Sequence, residues 1–89
     1  MKRSLYFSPK AKKQFLKLDA KTQQRIKRKL EYYLNSDNPL KYAKKLINSS
    51  LGMYRFRIWD YRIFFDVDEE GKIIILLFLA HRKDIYEMI

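Results

Sequence analysis

The sequence predicts an α+β fold of two layers, with helices packed on one face of an antiparallel sheet. Two observations predict it. Apolar residues recur at helical spacing in the first half, whereas the second half holds three strand-like runs separated by short turns. The expected order is an N-terminal strand, a helical hairpin and a three-stranded antiparallel meander. A chain of 89 residues has room for one core, so residues 1–89 are predicted to form a single domain.

The N-terminal strand and the helical hairpin follow from short local patterns. Residues 5–7, Leu-Tyr-Phe, are predicted to form a strand. A helix is predicted to start at Ser8-Pro9, because serine can cap free amides and proline suits the first helical position, and to stop near Asp19. A second helix is predicted from about residue 20 to residue 35, where the apolar residues share one face: Ile26, Leu30, Tyr33 and Leu34.

The remaining residues are predicted to form a loop and three strands. Turn chemistry predicts a loop at 36–39, and the apolar spacing at 40–47 allows one or two further helical turns. Strands are predicted at about 53–58, 61–67 and 72–80, joined by turns at 59–60 and 68–71. The run IIILLFLA in the last strand is apolar on both faces, which suits a central position with the N-terminal strand as its second neighbour.

Three arginines interrupt the apolar hairpin RFRIWDYRIFF. Alternation places Arg55 and Arg57 on one face, and a two-residue turn places Arg57 opposite Arg62, with side-chain roots about 5 Å apart. Like charges there destabilise a hairpin, so binding is the expected reason for them. Guanidinium groups bind phosphate oxygens, and Phe64, opposite Arg55, is a candidate to stack on a base. The pattern predicts a phosphodiester site; the alternative is ordinary exposed arginines, one of them neutralised by Asp66.

The charge distribution also points to a polyanionic partner. The net charge is +10: residues 1–45 hold 14 basic and 3 acidic residues (+11), and residues 46–89 hold 6 and 7 (−1). Such an excess favours nucleic acid or an acidic protein as partner, although a solvated basic face would look the same. The absence of cysteine and the single histidine argue against a metal site, and no cofactor is expected. No apolar run is long enough for a signal or membrane segment, so a cytoplasmic protein is expected.

The stretch AHRKDIY after the last strand carries further candidates. His81, Arg82, Lys83 and Tyr86 are expected near the same edge of the sheet as the arginines. A histidine or a tyrosine there is a plausible acid, base or stacking group, although each is also common as a structural residue.

The stretch from Met53 to Tyr86, MYRFRIWDYRIFFDVDEEGKIIILLFLAHRKDIY, resembles the RelE/ParE toxin superfamily of type II toxin–antitoxin systems, and specifically its RelE-like branch. The order of elements before it agrees with that family. The resemblance implies an mRNA interferase that cleaves mRNA in the ribosomal A site without a metal, through attack of the 2′-hydroxyl on the adjacent phosphate. Two departures stand out, because the family commonly has glycine at the positions of Trp59 and Ala80.

The resemblance also implies roles for individual residues. Arg62 and Arg82 would stabilise charge on the phosphate in the transition state, and Arg55 and Arg57 would hold the RNA backbone. Tyr86 would stack on or orient the base. Because arginine is a poor proton acceptor, the general base is expected to be His81 or Tyr86. Further contacts to RNA are expected from Phe64 and Lys83 and, for ribosomal RNA, from the second helix: Arg25, Lys27, Arg28 and Lys29.

The implied partners are a RelB-like antitoxin and the ribosome, with no membrane. The complex with the antitoxin is expected to be hetero-oligomeric and to contact operator DNA through the antitoxin. Two alternatives stay open at this point: a ParE-like inhibitor that binds DNA gyrase without catalysis, and a degenerate toxin that acts only as a binding module.

Overall fold

The computed structural model describes residues 4–47, 52–70 and 73–84 and shows a five-stranded sheet with helices in the order predicted for an α+β fold. The elements are β1 (Ser4–Phe7), α1 (Pro9–Leu16), α2 (Ala20–Leu34), a 3-10 helix (Pro39–Tyr42), β2 (Ala43–Lys45), β3 (Tyr54–Ile58), β4 (Tyr61–Val67) and β5 (Ile73–His81). Within these residues, no helix is both long and apolar enough to cross a bilayer.

The starts of both α-helices have local causes that the sequence displays. The Ser8 hydroxyl accepts a hydrogen bond from the Ala11 amide at 3.1 Å, and Pro9 occupies the first turn. Asp19 caps α2, because its carboxylate accepts from the Thr22 amide at 3.2 Å and from the Thr22 hydroxyl. These two hydrogen bonds lower the pKa of Asp19 below its ordinary value of 3.8. The predicted helix boundary near Asp19 therefore rests on a cap.

The strand order is β1-β5-β4-β3-β2, which places β5 near the centre of the sheet with β1 as its parallel neighbour. The predicted position of the last strand is therefore confirmed. The β3–β4 hairpin closes through the two residues Trp59 and Asp60, and its register pairs Ile58 with Tyr61 and Phe56 with Ile63. Gly71, in the second predicted turn, lies outside the described residues.

The prediction of helical turns over 40–47 is only partly right. A single 3-10 turn covers Pro39–Tyr42, with the Asn38 side chain accepting from the Leu40 amide at 3.2 Å. The chain then becomes strand β2, which pairs antiparallel with β3. A helix this short gains little stability of its own, whereas the unpaired edge of β3 offers a ladder of backbone hydrogen bonds. The edge therefore decides the conformation of Ala43–Lys45.

The core lies between the helices and one face of the sheet. The pairing of β4 with β5 shifts between Phe64 and Phe65, so that the ladder skips position 77 of β5. As a result Leu76 and Leu79 lie on the same face, although they are three positions apart. The buried side chains of this core are Ala11, Ile26, Leu30, Tyr33, Leu34, Phe56, Ile58, Ile63, Phe65, Ile74, Leu76 and Leu79.

Candidate functional site

In the described part of the chain, the sheet face away from the helices carries four cationic side chains, Lys44, Arg55, Arg57 and Arg62, which we call the cationic face. The predicted register is confirmed, because Arg57 pairs with Arg62 and Arg55 with Phe64. Lys44 of β2 pairs with Arg55 and so extends the row to the edge of the sheet. The β-carbons of directly opposed residues on neighbouring strands lie about 5 Å apart, so these charges are close together.

Two of these arginines lack partners for their charge within the described residues. Arg57 is exposed, and its side chain makes no hydrogen bond or ion pair with the described part of the chain. Arg55 is half-buried, and its Nε is buried without a hydrogen-bond partner among the described residues. A buried donor without a partner costs free energy, and two opposed cations repel. An anion on this face would relieve both costs.

Among the described residues, Asp66 forms no ion pair with an arginine, although the alternative interpretation of this face expected it to neutralise one. Its carboxylate instead accepts a hydrogen bond from the Met53 amide at 2.8 Å. Phe64 shares the face but is only 4% exposed, because it packs with Ala80, Leu46 and Phe78. Its ring therefore has almost no free surface for a base, and the predicted stacking role does not suit it.

The two arginines expected to act on the phosphate both contact the β3–β4 turn. Arg62 Nη1 donates to the carbonyl oxygen of Tyr61 at 3.2 Å and to that of Trp59 at 3.4 Å. The Arg82 guanidinium lies 3.5 Å from the Asp60 carboxylate, and the Arg82 amide donates to the Asp60 carbonyl at 2.7 Å. The turn therefore brings Arg62 and Arg82 to one end of the sheet, as expected.

His81 lies at the same end of the sheet as Arg62 and Arg82, as expected, but its side chain occupies the opposite face from Arg62. It pairs with Tyr61 on the helix side, with the two rings 5.2 Å apart and nearly perpendicular. The skipped position in β5 is the cause, since a shift of one residue moves every later side chain to the other face. The His81 Nδ1 accepts from the Lys83 amide at 3.2 Å, which leaves Nε2 for other contacts.

Tyr61 itself is neutral over a wide pH range. Burial raises the pKa of Tyr61, and the nearby carboxylates of Asp19, Asp60 and Asp84 raise it further. Tyr86 lies outside the described residues, and Lys83 is exposed at the end of the last described segment.

The basic residues of α2 divide between two surfaces. One groove, of about 560 Å³, is lined by Lys21, Gln24, Arg25, Arg28, Lys29 and Tyr32. Lys27 instead borders an apolar groove of about 480 Å³ that includes Leu5, Phe15 and Leu16. Three of the four predicted RNA contacts on this helix therefore share one surface, and Lys27 does not.

Sequence reasoning missed Lys44 as a member of the cationic face and Asp60 as a partner of Arg82. Lys44 was hidden by the helical assignment of its segment; its signal is the alternation of Ala43, toward the core, with Lys44, away from it. The sequence pattern indicates Asp60 only as a turn residue. No group of three or more metal-ligating side chains occurs in the described parts of the chain.

Comparison with known proteins agrees with this architecture. The chain resembles the RelBE2 toxin–antitoxin complex of Mycobacterium tuberculosis (22% identity, TM-score 0.75, covering 92% of this chain and 100% of that one). It also resembles the archaeal RelE–RelB complex of Pyrococcus horikoshii (24%, 0.71, 92% and 97%) and a variant of Escherichia coli RelE in the free state (22%, 0.71, 98% and 93%). These likenesses show the fold.

No curated protein matches the chain significantly. The family model described as the ParE toxin of the type II toxin–antitoxin system parDE matches residues 5–86, which is nearly the whole chain. The chain therefore belongs to the RelE/ParE superfamily of toxins from type II toxin–antitoxin systems.

Proposed function

We propose that this toxin is a ribosome-dependent endoribonuclease that cleaves mRNA in the ribosomal A site and thereby inhibits translation. The observation that carries the proposal is the cationic face, where Arg57 opposes Arg62 although Arg57 makes no ion pair within the described residues. A surface that only had to fold would not retain this repulsion, whereas a phosphodiester backbone would neutralise it. Ribosomes as the site of action imply a cytoplasmic protein.

The cleavage needs no redox step and no co-reactant. The 2′-oxygen of the mRNA forms a bond to the adjacent phosphorus, the bond from phosphorus to the 5′-oxygen breaks, and a 2′,3′-cyclic phosphate results. Arg62 and Arg82, held at the β3–β4 turn, would stabilise the additional negative charge on the phosphate oxygens. Arg55, Arg57 and Lys44 would hold the RNA backbone.

Two protons must also move in this reaction. The 2′-hydroxyl gives its proton to a general base, and the leaving 5′-oxygen takes one from a general acid. His81 and Tyr86 are the candidates for the base. The Lys83 amide donates to His81 Nδ1, so the neutral ring carries its own proton on Nε2, and His81 would accept a proton only through Nδ1 after that hydrogen bond is released. This role requires the RNA to pass the end of the sheet where Arg82 and His81 follow each other.

A RelB-like antitoxin is the proposed protein partner. The solved structures that resemble this chain include toxin–antitoxin complexes from a bacterium and an archaeon. We infer a hetero-oligomeric complex that contacts operator DNA through the antitoxin.

Inhibition of DNA gyrase without catalysis is the second candidate function. The family model that matches residues 5–86 is described as the ParE toxin, and this description favours the gyrase candidate. A pure inhibitor, however, has no need for a cluster of phosphate-binding cations. A degenerate toxin that only binds its antitoxin would keep the fold and lose cleavage.

Mapping of mRNA cleavage by primer extension tests the proposal, with and without programmed ribosomes. The variants are Arg62→Ala and, as a matched control, Lys45→Ala, which removes one positive charge from the helix-facing side of β2. We expect cuts that require ribosomes, fall at least 100-fold with Arg62→Ala and persist with Lys45→Ala, since loss of one transition-state contact costs about that much. The absence of cuts by the folded, antitoxin-free protein would reject the proposal, and inhibition of supercoiling would then support the gyrase candidate.

The identity of the base can be tested in the same assay. We expect the double variant His81→Ala with Tyr86→Phe to lose cleavage about 100-fold or more, as is typical of a missing general base. Unchanged cleavage would exclude both residues from that role.

A further inference from the structure

Trp59 is the single tryptophan of the sequence. It has a backbone conformation that is unfavourable for any residue other than glycine. Its φ is 54°, and it is the only non-glycine residue with positive φ among the described residues. Glycine adopts this left-handed region freely, whereas a residue with a β-carbon does so at a cost. The side chain does not regain that cost through burial, because it is 54% exposed. The fold therefore does not explain why a large aromatic ring stands in this turn.

The ring contacts the basic helix rather than the core. The Arg25 guanidinium of α2 lies 4.3 Å from the centre of the Trp59 ring, within the range of a cation–π contact. The Tyr61 ring lies farther away, at 6.4 Å. Trp59 thus joins the end of the β3–β4 hairpin to the basic surface of α2, and more than half of its own surface stays open to solvent.

Two adjoining concavities extend from this ring along α2. The smaller, of about 220 Å³, is lined by Asp19, Lys21, Thr22, Arg25 and Trp59. The larger is the basic groove already described, and it shares Lys21 and Arg25 with the smaller one. Four cations and no carboxylate line the larger groove among the described residues. The Asp19 carboxylate in the smaller one is engaged by the amide and hydroxyl of Thr22.

This combination suits single-stranded nucleic acid. A tryptophan ring offers a flat surface for an unpaired base of any sequence, and lysine and arginine side chains beside it bind the phosphates on either side. A protein partner would more often meet an apolar surface with few charges at its centre. A purely structural clamp between the hairpin and α2 would need the contact with Arg25, but it would not need the ring to be exposed.

We propose that Trp59 is the stacking platform of a second RNA-binding site, in which the ring takes an unpaired base and Lys21, Arg25 and Arg28 bind the adjoining phosphates. This second site and the cationic face adjoin the same end of the β3–β4 hairpin, because Trp59 belongs to the turn that Arg62 and Arg82 contact. This proposal depends on the proposed function in one respect, namely that the ligand is RNA. It does not require the protein to cleave.

Trp59 reports directly on this site, because it is the sole source of tryptophan fluorescence in the protein. The full-length protein is titrated at low salt with a short single-stranded RNA and with an abasic oligonucleotide of equal length. We expect the RNA to quench the fluorescence and the abasic chain, which carries only the charges, to leave it unchanged. Quenching by both ligands alike, or by neither, would overturn the proposal.

Variants test the site by a second route, the fluorescence anisotropy of labelled RNA. Trp59→Gly suits the left-handed turn and should weaken binding about ten-fold, the usual effect of a lost stacking platform. Arg25→Ala should weaken it more than Lys27→Ala, which removes the same charge from the other side of α2. Equal affinity of the wild type and Trp59→Gly, or equal effects of the two charge variants, would contradict the proposal.

Two further measurements separate this proposal from the proposed function and from a protein partner. Ribosome-dependent cleavage without quenching by RNA would reject the second RNA-binding site but support the proposed nuclease activity. Quenching by RNA without cleavage on ribosomes would support the second RNA-binding site but reject the proposed nuclease activity. A fluorescence change with purified DNA gyrase but not with RNA would assign Trp59 to a protein partner and overturn the proposal.

Discussion

The two faces of the sheet are built from the same strands but serve different ends. On the helix side, Phe56 and Phe65 are 1% and 0% exposed, and their rings stack 4.3 Å apart. On the other side, alternating positions of the same two strands hold Arg55, Arg57 and Arg62. Because strand side chains alternate, each pleat assigns one residue to the core and the next to the open face. The core face stabilises the fold, and we propose that the open face binds RNA.

The comparison shows how a small domain can tolerate opposed arginines. A fold of this size is stable by only about 5–15 kcal/mol, so unfavourable contacts on the open face must be offset elsewhere. The apolar side chains of the helix face supply that offset. The open face adds one small apolar cluster around Phe64 and Ala80.

Adjacent phenylalanines on opposite faces offer the largest test of this difference. Phe65→Ala should lower the free energy of unfolding by about 3–5 kcal/mol, because it opens a cavity in the closed core. Phe64→Ala should cost clearly less, because its cluster borders solvent and can collapse around the smaller side chain. Urea denaturation of the two variants measures both values. Equal losses would show that the open face contributes as much stability as the core face.

Acid should weaken the layer of helices that covers the core face. The folded-state pKa of Asp19 lies below its ordinary value of 3.8, so the folded state favours the carboxylate. Its contribution to stability is therefore present at neutral pH and is lost as the pH falls from about 4 through the folded-state pKa. Asp19→Asn should reduce the dependence of the unfolding free energy on pH between pH 5 and about pH 2. An unchanged profile for Asp19→Asn would show that other groups govern the acid sensitivity.

The smallest stability effect is expected on the cationic face. Arg57→Ala should change the free energy of unfolding by no more than about 0.5 kcal/mol, and in the stabilising direction, because it removes the repulsion with Arg62. The same substitution should lower the salt dependence of RNA binding by about one phosphate contact, seen in the slope of log affinity against log salt. A destabilisation as large as that of a core variant would contradict the assignment of Arg57 to binding.

The hairpin that carries the arginines could be predicted from the sequence in detail. A two-residue turn fixes the register of the strands on either side, and the apolar alternation fixes which face turns inward. Both rules apply locally, so Arg57 opposite Arg62 followed from eleven letters of sequence. The helix boundaries followed in the same way from Ser8-Pro9 and Asp19.

Two features depended on distant parts of the chain and were missed. Strand β2 forms because the edge of β3 is available, and the alternation of Ala43 with Lys44 is too short to predict a strand by itself. The shift in β5 is invisible in IIILLFLA, since a run that is apolar on both faces has no alternation to interrupt. That shift placed His81 on the helix face, against Tyr61, and not on the face that carries Arg62.

The parallel pairing of β1 with β5 has a consequence for how the protein is made. Residues 4–7 find their partners only at residues 73–76, so the sheet combines contacts of very high sequence separation. Contact order of this kind slows folding, and a growing chain on the ribosome cannot place β1 until residues 73–76 have been synthesised. The end of the sheet that holds Arg62 and Arg82 also assembles late, because Arg82 follows β5. A nascent toxin therefore lacks this end of the sheet until β5 and Arg82 have been synthesised, which leaves time for an antitoxin to be present when the site forms.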